Sequence, residues 1–351
     1  MTLVQSLYHK YQRYRTLMTD HITALPIVIL MPHSACNCKC VMCDIWKDNK
    51  NLRQLKDDDL NGLMYSLGKL GTKQVLMSGG EALLNPLFFE FCKKLNRAGI
   101  KVSLLSTGLT LQKHAEAIVN HVNDVIISLD GDEALHDRIR NVPGAYRKMR
   151  EGVRAIKAID PGFKITARTV IHRLNFSHWI PILESAREIG VDQVSFLPAD
   201  VSSHAFNREV LWTEKKQHEI MLSLEDLGEL QEVTETFLFY LEEHGLQSLV
   251  AESPLKLRKI LEYYRALWGL NAFPFKKCNA PWVSTVVEAD GTVRPCFFHA
   301  PIGNIRKNSL LEILNGVQGI AFRKSLDMNT NETCKKCVCY LNLSPKNKIF
   351  S

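Results

Sequence analysis

Two groups of cysteines are the residues of this chain best suited to chemistry. In the first group, Cys36, Cys40 and Cys43 are separated by three and two residues, and Cys38 lies within the same segment. Three thiolates on one short loop can bind three corners of a four-iron cluster and leave the fourth iron open to a ligand. A zinc site that uses Cys38 as its fourth ligand is the alternative that this spacing allows.

The second group lies near the C-terminus and contains Cys278, Cys296, Cys334 and Cys337, with Cys339 close by. Four thiolates at this spacing predict either a zinc ribbon or an iron–sulfur cluster. The chain has ten cysteines, and its N-terminus lacks the apolar core and cleavage site of a signal peptide. We therefore expect a cytoplasmic protein whose clustered thiols bind metal rather than form disulfides.

Six short apolar runs alternate with helical periods between residues 24 and 199, and they are PIVILMP, KQVLM, KVSLLS, DVIISLD, KITARTVI and QVSFLP. This alternation predicts an α/β fold with a parallel sheet and right-handed helical crossovers, and we expect a partial (β/α)6 barrel. In such barrels the chemistry lies at the carboxyl ends of the strands. The cysteine loop and the segments SGGE, STG, SLDG and LPAD each directly follow a strand, so we expect them to share one edge.

The chain divides into four predicted parts. We expect an N-terminal helix over residues 1–23, the barrel over 24–205, a wholly helical connector over 206–270 and a small cysteine-rich domain over 271–351. The last part begins with a β-hairpin whose turn is Ala289-Asp290-Gly291.

Charge and hydropathy limit the partners. The formal net charge is +7 and the basic residues are scattered, so we expect no nucleic-acid partner, although an anionic substrate is easier to attract. The longest apolar stretch, residues 24–31, is interrupted by Pro26, and we therefore expect no membrane span.

The C-x3-C-x2-C loop after the first strand, together with Gly79-Gly80-Glu81 after the second, resembles the radical S-adenosylmethionine (radical SAM) superfamily. The resemblance implies a [4Fe–4S] cluster on the three cysteines of the loop, whose open iron chelates the methionine part of SAM. It also implies reductive cleavage of SAM to a 5′-deoxyadenosyl radical, which abstracts a substrate hydrogen. An electron donor such as flavodoxin or ferredoxin would supply the electron.

The same resemblance implies a SAM-binding set at the strand ends: Met42, Gly79, Gly80, Glu81, Ser106, Thr107, Ser128, Arg168 and Leu197. A carboxylate at Glu81 suits the SAM ammonium group. Leu197 is placed to pack on adenine, and Met42 stands where the family usually has an aromatic residue. Arg168 is interpreted in three ways, as a ligand of the SAM carboxylate, as a ligand of an anionic substrate, or as a buried structural residue.

The C-terminal cysteines, followed by the segment GNI…SLLEI, resemble the shortened SPASM domain called twitch. This resemblance implies an auxiliary [4Fe–4S] cluster held by Cys278, Cys296, Cys334 and Cys337. With four cysteine ligands, that cluster would serve electron transfer rather than substrate binding. The roles of Cys38 and Cys339 stay open, and the zinc ribbon remains the alternative.

Three functions are compatible with these features. We expect an oxidoreductase that oxidises a polar small molecule of the sugar, cyclitol or nucleoside type, with substrate-facing candidates His204, Arg208, Arg294 and His299. A peptide-modifying radical SAM maturase is the alternative. The roughly 25 residues before the first strand, too few for a winged-helix leader-binding domain, argue against it. A non-enzymatic zinc-binding adaptor is the third.

Overall fold

The computed structural model describes residues 3–208 and 210–346. Within these residues, nine strands form one sheet: β1 (Ile27–Leu30), β2 (Gln74–Met77), β3 (Lys101–Ser106), β4 (Asp124–Ser128), β5 (Lys164–Ile171), β6 (Gln193–Pro198), β7 (Ser284–Val287), β8 (Thr292–Arg294) and β9 (Gly303–Asn304). Their order across the sheet is β6-β5-β4-β3-β2-β1-β7-β8-β9. Strands β1 to β6 are all parallel, which confirms the expected α/β arrangement.

The described α-helices, in chain order, are α1 (Leu3–Thr19), α2 (Asp57–Lys69), α3 (Phe88–Arg97), α4 (Ala115–His121), α5 (Glu133–Arg140), α6 (Ala145–Ile159), α7 (Trp179–Ile189), α8 (Glu214–Ile220), α9 (Asp226–Glu243), α10 (Pro254–Leu267), α11 (Ala280–Val283), α12 (Leu310–Asn315), α13 (Val317–Ser325) and α14 (Glu332–Lys336). Helices α2 to α7 occur in the crossovers between β1 and β6, as the alternating pattern predicts. None of the described helices is long and apolar enough to cross a membrane.

The two faces of the parallel sheet differ in burial. Along β5, Ile165 and Ala167 are fully buried in the core, whereas Thr166 and Arg168, which alternate with them, are only half-buried. Successive side chains of a strand point to opposite faces, so the first pair packs in the apolar core and the second pair lines the other face. Arg168 therefore lies on the more accessible face of the sheet.

The C-terminal hairpin extends the main sheet. Strand β7 pairs in parallel with β1, with Ile27 opposite Ser284, and β8 pairs with β7 in the antiparallel direction. The predicted hairpin is therefore present, and it lies beside the strand that leads into the first cysteine loop. Sequence patterns specify the hairpin but not its partner strand, because pairing between distant segments depends on tertiary packing.

The connector is helical from Glu214 onward, through α8, α9 and α10. The expectation of a wholly helical segment is wrong at its start, where Phe206 and Asn207 have φ angles of +61° and +59°. Such left-handed conformations do not continue a right-handed helix. Helix α10 lies at the carboxyl ends of β5 and β6, since the hydroxyl of Tyr264 donates to the carbonyl of Ile171 at 2.5 Å.

Candidate active site

The first cysteine loop follows β1 and is held by the end of α5. The backbone N–H groups of Lys39 and Val41 donate to the carbonyl oxygens of Arg140 and Ile139, at 3.0 and 3.1 Å. These carbonyls belong to the last turn of α5, where oxygens lack partners within the helix. The N–H groups of the loop therefore supply the hydrogen bonds that the last carbonyls of α5 lack. These bonds hold the loop at the carboxyl edge of the sheet.

The thiols of the loop differ in burial and in acidity. Cys38 and Cys40 are buried, whereas Cys36 and Cys43 are half-buried. A hydrogen bond from the Cys38 thiol, followed by the charge of Arg140, lowers the pKa of Cys40 to about 6. Burial raises the pKa of Cys36 and of Cys43 to about 12. The thiolate is the form that binds metal, and Cys40 loses its proton more readily than Cys36 or Cys43.

The glycines of the GGE segment allow two loops to touch. A Cβ atom on Gly80 would lie 2.2 Å from the carbonyl oxygen of Ala35, and Gly79 has a φ angle of +112°. The N–H of Glu81 donates to the same Ala35 oxygen at 2.9 Å. The GGE backbone thus packs directly on the residue before Cys36. The sequence analysis attributed these glycines to ligand approach, whereas the contact seen here is with the cysteine loop.

Gly80→Ala is expected to destabilise the protein by about 3 kcal/mol, because the new methyl group meets backbone atoms that cannot rotate away. Chemical denaturation of the metal-free protein measures this change. Gly62→Ala is the matched control, since Gly62 lies within α2 and a Cβ there meets nothing within 4 Å. That control is expected to be neutral or to stabilise by about 0.5–1 kcal/mol. Equal effects of the two substitutions would contradict the packing role of Gly80.

Glu81 is fully buried and its carboxylate is used by the protein. Its oxygens accept hydrogen bonds from the Ser106 hydroxyl at 3.0 Å, the Thr107 N–H at 2.8 Å and the Thr107 hydroxyl at 2.7 Å. The N–H of Leu83 donates to its other oxygen at 3.2 Å. Burial raises the pKa of this carboxyl group. Glu81 therefore ties the end of β2 to the end of β3, and its contact with SAM stays a prediction.

A buried ion pair beside Cys40 was missed by the sequence analysis. The Arg140 guanidinium lies 2.5 Å from the carboxylate of Asp130, and it also donates to the Cys40 sulfur at 3.4 Å. Asp130 belongs to the SLDG segment after β4, and Arg140 is the last residue of α5. Both side chains are buried. No spacing rule connects these positions, because only the folded chain brings the two segments to the cysteine loop.

Arg140→Met is expected to cost about 3–5 kcal/mol of stability, because it leaves Asp130 buried without a charge partner. Denaturant titration of the metal-free protein measures the loss. Adding Asp130→Asn is expected to recover part of it, and Arg138→Met, on an exposed position of the same helix, is expected to change little. A double variant no more stable than the single one would contradict this account of the pair.

The C-terminal thiols form the second candidate site. Cys278, Cys296, Cys334 and Cys337 are half-buried, and Cys339 is exposed. Burial, with the nearby Cys334 and Cys278 thiols adding to it, raises the pKa of Cys296 to about 12. The pKa of Cys296 therefore responds to two of the other predicted ligands.

Three further groups contact the thiols of this second site or the backbone around them: the side chains of His299 and Lys276 and the carbonyl group of Cys339. The Nε2 atom of His299 lies 3.4 Å from the Cys334 sulfur, and Lys276 donates to the backbone oxygens of Lys335 and Cys337. The Cys337 thiol donates to the carbonyl oxygen of Cys339 at 2.9 Å. A histidine and a lysine are therefore built in beside the four thiols.

Across residues 3–208 and 210–346, no group of three Cys, His, Asp or Glu side chains is arranged to hold a single metal ion.

The four predicted substrate-facing residues form two contacting pairs, His204 with Arg208 and Arg294 with His299. Arg208 is buried, lies 2.5 Å from Asp200 and is stacked 3.9 Å from the ring centre of Trp212. The prediction of an open polar group at Arg208 is therefore not met, because its charge is already paired inside the fold. His204 is exposed, and its Nδ1 atom lies 3.1 Å from the Arg208 carbonyl oxygen.

Arg294 and His299 lie at the other candidate site. Arg294 pairs with Glu288 at 2.8 Å and donates to the His299 carbonyl at 3.0 Å, while His299 contacts a thiol of the C-terminal group. These two residues therefore belong to the surroundings of the second cysteine set.

Part of the predicted SAM set shares one region of the sheet. Ser128 and Arg168 are register partners on β4 and β5, and Leu197 is paired with Val170 across β5 and β6. Met42 and Thr107 are buried near the first cysteine loop, where the Thr107 hydroxyl donates to Asn37 at 2.8 Å.

A cavity of about 120 Å³ adjoins the predicted SAM set. Arg168 and Leu197 line it from the sheet, Lys256 and Lys259 from α10, and Cys337 from the C-terminal cysteine group. The sequence analysis missed the two lysines, since their helical spacing alone resembles an ordinary solvated helix face.

Family models match two parts of the chain. The model described as the radical SAM superfamily matches residues 30–186, which contain the first cysteine loop, GGE and SLDG. A second model, SPASM, described as an iron–sulfur cluster-binding domain, matches residues 278–338, which contain the four C-terminal thiols.

Curated relatives include three whose names describe different substrates. The chain is 27% identical to the AdoMet-dependent heme synthase of Methanosarcina barkeri over 45% of this chain and 46% of the relative. It is 24% identical to the cysteine-type anaerobic sulfatase-maturating enzyme of Clostridium novyi, over 90% and 86%. It is 23% identical to the PqqA peptide cyclase of Bradyrhizobium diazoefficiens, over 91% and 80%. The chain spans slightly less than half the length of the first two curated relatives it matches.

A solved structure shows the same fold. The crystal structure of Streptococcus suis SuiB bound to its precursor peptide SuiA aligns with a TM-score of 0.66 at 15% identity, covering 93% of this chain and 73% of that one. The two family models, with this fold, confirm the predicted cofactors: SAM, a [4Fe–4S] cluster and an auxiliary iron–sulfur cluster. The chain therefore carries a radical SAM domain over residues 30–186 and a C-terminal SPASM-type iron–sulfur domain over residues 278–338.

Proposed function

We propose that this protein modifies a peptide or a protein side chain by radical SAM chemistry. The observation that carries the proposal is that relatives named as a sulfatase-maturating enzyme and a peptide cyclase align over 90% and 91% of the chain. The sequence analysis favoured oxidation of a polar small molecule, and these relatives support its peptide alternative better. The short segment before β1 counts against a peptide substrate in the sequence. The alignment of both relatives over 90% and 91% of this chain outweighs it.

The residues of the first loop fit a cluster-binding role. Cys36, Cys40 and Cys43 supply three thiolates on a loop that α5 and the GGE segment hold in place. The buried Nδ2 atom of Asn37 has no hydrogen-bond acceptor among the described residues, so an acceptor on a bound group would satisfy it. Arg140 places a positive charge at the Cys40 sulfur, where it offsets the negative charge that thiolates bring.

When bound, the cluster and SAM supply reductive cleavage of SAM and a radical that abstracts a hydrogen atom from the substrate. The chain contributes the surroundings of that reaction. Leu197, the predicted adenine contact, lines the same cavity as Cys337 of the C-terminal group. A substrate in this cavity would lie between the predicted adenosine position and the auxiliary thiols, where an electron leaving the substrate has a short path.

We assign the auxiliary cluster to Cys278, Cys296, Cys334 and Cys337, and the electron supply to a small donor protein such as flavodoxin or ferredoxin. Reduced thiols in both sets agree with a cytoplasmic setting. Lys276 lies beside the auxiliary thiols and offsets part of their negative charge, and His299 lies within hydrogen-bond distance of the Cys334 sulfur.

A second candidate function is modification of a tetrapyrrole. The supporting observation is the similarity to the AdoMet-dependent heme synthase of Methanosarcina barkeri, although it covers only 45% of this chain. Tetrapyrroles carry several carboxylates, which suit the basic cavity described above.

The deciding experiment is an anaerobic assay of the reconstituted holoenzyme with SAM and a chemical reductant. Peptides encoded by genes next to its own gene form one substrate pool, and porphyrins with propionate side chains form the other. The peptide proposal predicts 5′-deoxyadenosine together with a mass change in a peptide and none in a porphyrin. A mass change confined to a porphyrin would replace the proposal by the second candidate, and a change in neither pool would contradict both.

A further inference from the structure

The cavity between the sheet and α10 has an unbalanced charge. Four cationic side chains line it, from Arg168, Lys256, Lys259 and Lys276, against one carboxylate from Glu252. Lys276 faces the C-terminal thiols and offsets part of their charge, which leaves three cationic side chains and one carboxylate, a formal excess of two positive charges. A cleft lined by an excess of one sign of charge attracts ligands of the opposite sign.

The one carboxylate is already engaged. Glu252 is buried, and it accepts hydrogen bonds from the Ser195 hydroxyl and the Phe196 N–H, both at 2.9 Å. Lys256 lies 3.5 Å from the same carboxylate on its exposed side. Glu252 therefore fixes β6 and balances one lysine at most, and it does not neutralise the other cations.

Arg168 has no partner of its own. Its Nε atom is buried and has no hydrogen-bond acceptor within the described part of the chain, and no described carboxylate forms an ion pair with its guanidinium. A buried donor without an acceptor destabilises the fold, because it has lost its hydrogen bonds to water and gained none in return. The unpartnered Nε atom of Arg168 lowers the stability of the free protein, and a ligand that supplies the missing acceptor would remove this cost.

We propose that this cavity is an anionic subsite in which Arg168, with Lys256 and Lys259, binds a carboxylate of the substrate. The proposal rests on the proposed function and deepens it, since the substrate class becomes a peptide with an acidic group near the modified residue. A planar guanidinium can hold a carboxylate through two parallel hydrogen bonds, and the two lysines of α10 add charge from the opposite wall.

The SAM carboxylate is the competing partner for Arg168. The carboxylate of Asp130 accepts a hydrogen bond from the Val170 N–H of β5 at 3.3 Å, and it pairs with Arg140, which donates to the Cys40 sulfur. The carboxyl end of β5 therefore lies close to the cysteine loop. The SAM affinity of the variants below separates the two partners of Arg168.

The test measures binding of defined probes to the anaerobic holoenzyme with SAM present. Two labelled pools of short peptides share the same random positions, and they differ in carrying Glu in one pool and Gln in the other. A porphyrin with free propionates and its neutral methyl ester form a second matched pair. The Glu pool is expected to bind about tenfold more tightly than the Gln pool, and high salt is expected to reduce the difference.

Three variants locate the effect. Arg168→Met is expected to abolish the preference for Glu, and Arg168→Lys to restore part of it. Lys256→Met, at a half-exposed position where folding is not at risk, is expected to weaken the preference. Lys277→Met is the charge-matched control, because Lys277 is exposed and does not line the cavity, and it is expected to change nothing. SAM affinity is measured in parallel for every variant.

The outcomes separate the subsite from the proposed function. In one outcome, the porphyrin with free propionates binds better than its ester, this difference depends on Arg168, and neither peptide pool binds. That outcome would support the subsite and reject a peptide substrate. Equal binding of the two peptide pools, unchanged by Arg168→Met and Lys256→Met, would overturn the subsite alone. If Arg168→Met loses affinity for SAM but keeps the preference for the Glu peptides, Arg168 is a SAM ligand and the subsite proposal is wrong. Binding of none of the probes would also count against the subsite.

Discussion

Replacing Cys36, Cys40 and Cys43 together by Ala is expected to abolish reductive cleavage of SAM while about four irons per chain remain, compared with about eight in the unmodified holoenzyme. The physical reason is that the two cysteine sets are separate. The first set lies on the loop after β1, and the second lies between Cys278, which precedes α11, and Cys337, which follows α14. Elemental analysis and a 5′-deoxyadenosine assay measure both parts of this result.

Cys38→Ala is the matched control for the triple variant. Cys38 lies in the same loop and its N–H, which Ala retains, is 3.5 Å from the Cys36 sulfur. Its thiol lies off the three-and-two spacing, so we expect full iron content and SAM cleavage. Loss of the first cluster in Cys38→Ala would show that the ligand assignment is wrong, and stoichiometric zinc without labile sulfide would contradict the cluster altogether.

The second large effect is expected from the C-terminal thiols. Cys334→Ala and Cys337→Ala are each expected to retain SAM cleavage but to lose the modified product. Removing one of four ligands opens or destroys the auxiliary cluster, whereas the cysteine loop after β1 stays intact. The substrate radical would then lack its electron acceptor, so 5′-deoxyadenosine would form without a two-electron oxidised product.

Cys339→Ala provides the control for this pair, because Cys339 is exposed and its carbonyl oxygen, which Ala retains, accepts the hydrogen bond of the Cys337 thiol. It is expected to keep both clusters and product formation. Chromatography of 5′-deoxyadenosine and mass spectrometry of the substrate measure the outcome. Catalytic use of SAM, with deuterium from labelled substrate returning to the product, would instead show a redox-neutral rearrangement and overturn the oxidation.

The chemistry of SAM cleavage could be predicted from short segments of sequence. The cysteine spacing, the GGE segment and their positions after apolar strands are all local features, and the alternation of strands with helices fixes how their ends meet. Parallel strands in a right-handed winding place all their carboxyl ends on one edge. The family models and the similar solved fold confirm the predicted fold and cofactors. These predictions depend on local sequence features and do not require knowledge of side-chain contacts.

The roles of individual polar side chains could not be predicted in the same way. Arg208 resembled an open polar group in the sequence, yet the fold buries it against Asp200. Glu81 is predicted to contact SAM, and the fold adds a second role that the sequence does not indicate, since its carboxylate holds Ser106 and Thr107. Whether a charge is free or paired depends on residues from other segments, and these meet only in the folded chain.

The sequence by itself determined the two thiol sets and the order of strands that bring the first set to the active edge. The tertiary structure decided which charges surround them. It placed Arg140 of α5 and Asp130 of the loop after β4 beside Cys40, and it placed Lys256 of α10 across a cavity from Arg168 of β5. Spacing along the chain encodes ligands that share one loop, whereas electrostatic partners from distant segments are set by packing, because their separation in sequence carries no information about their distance in space.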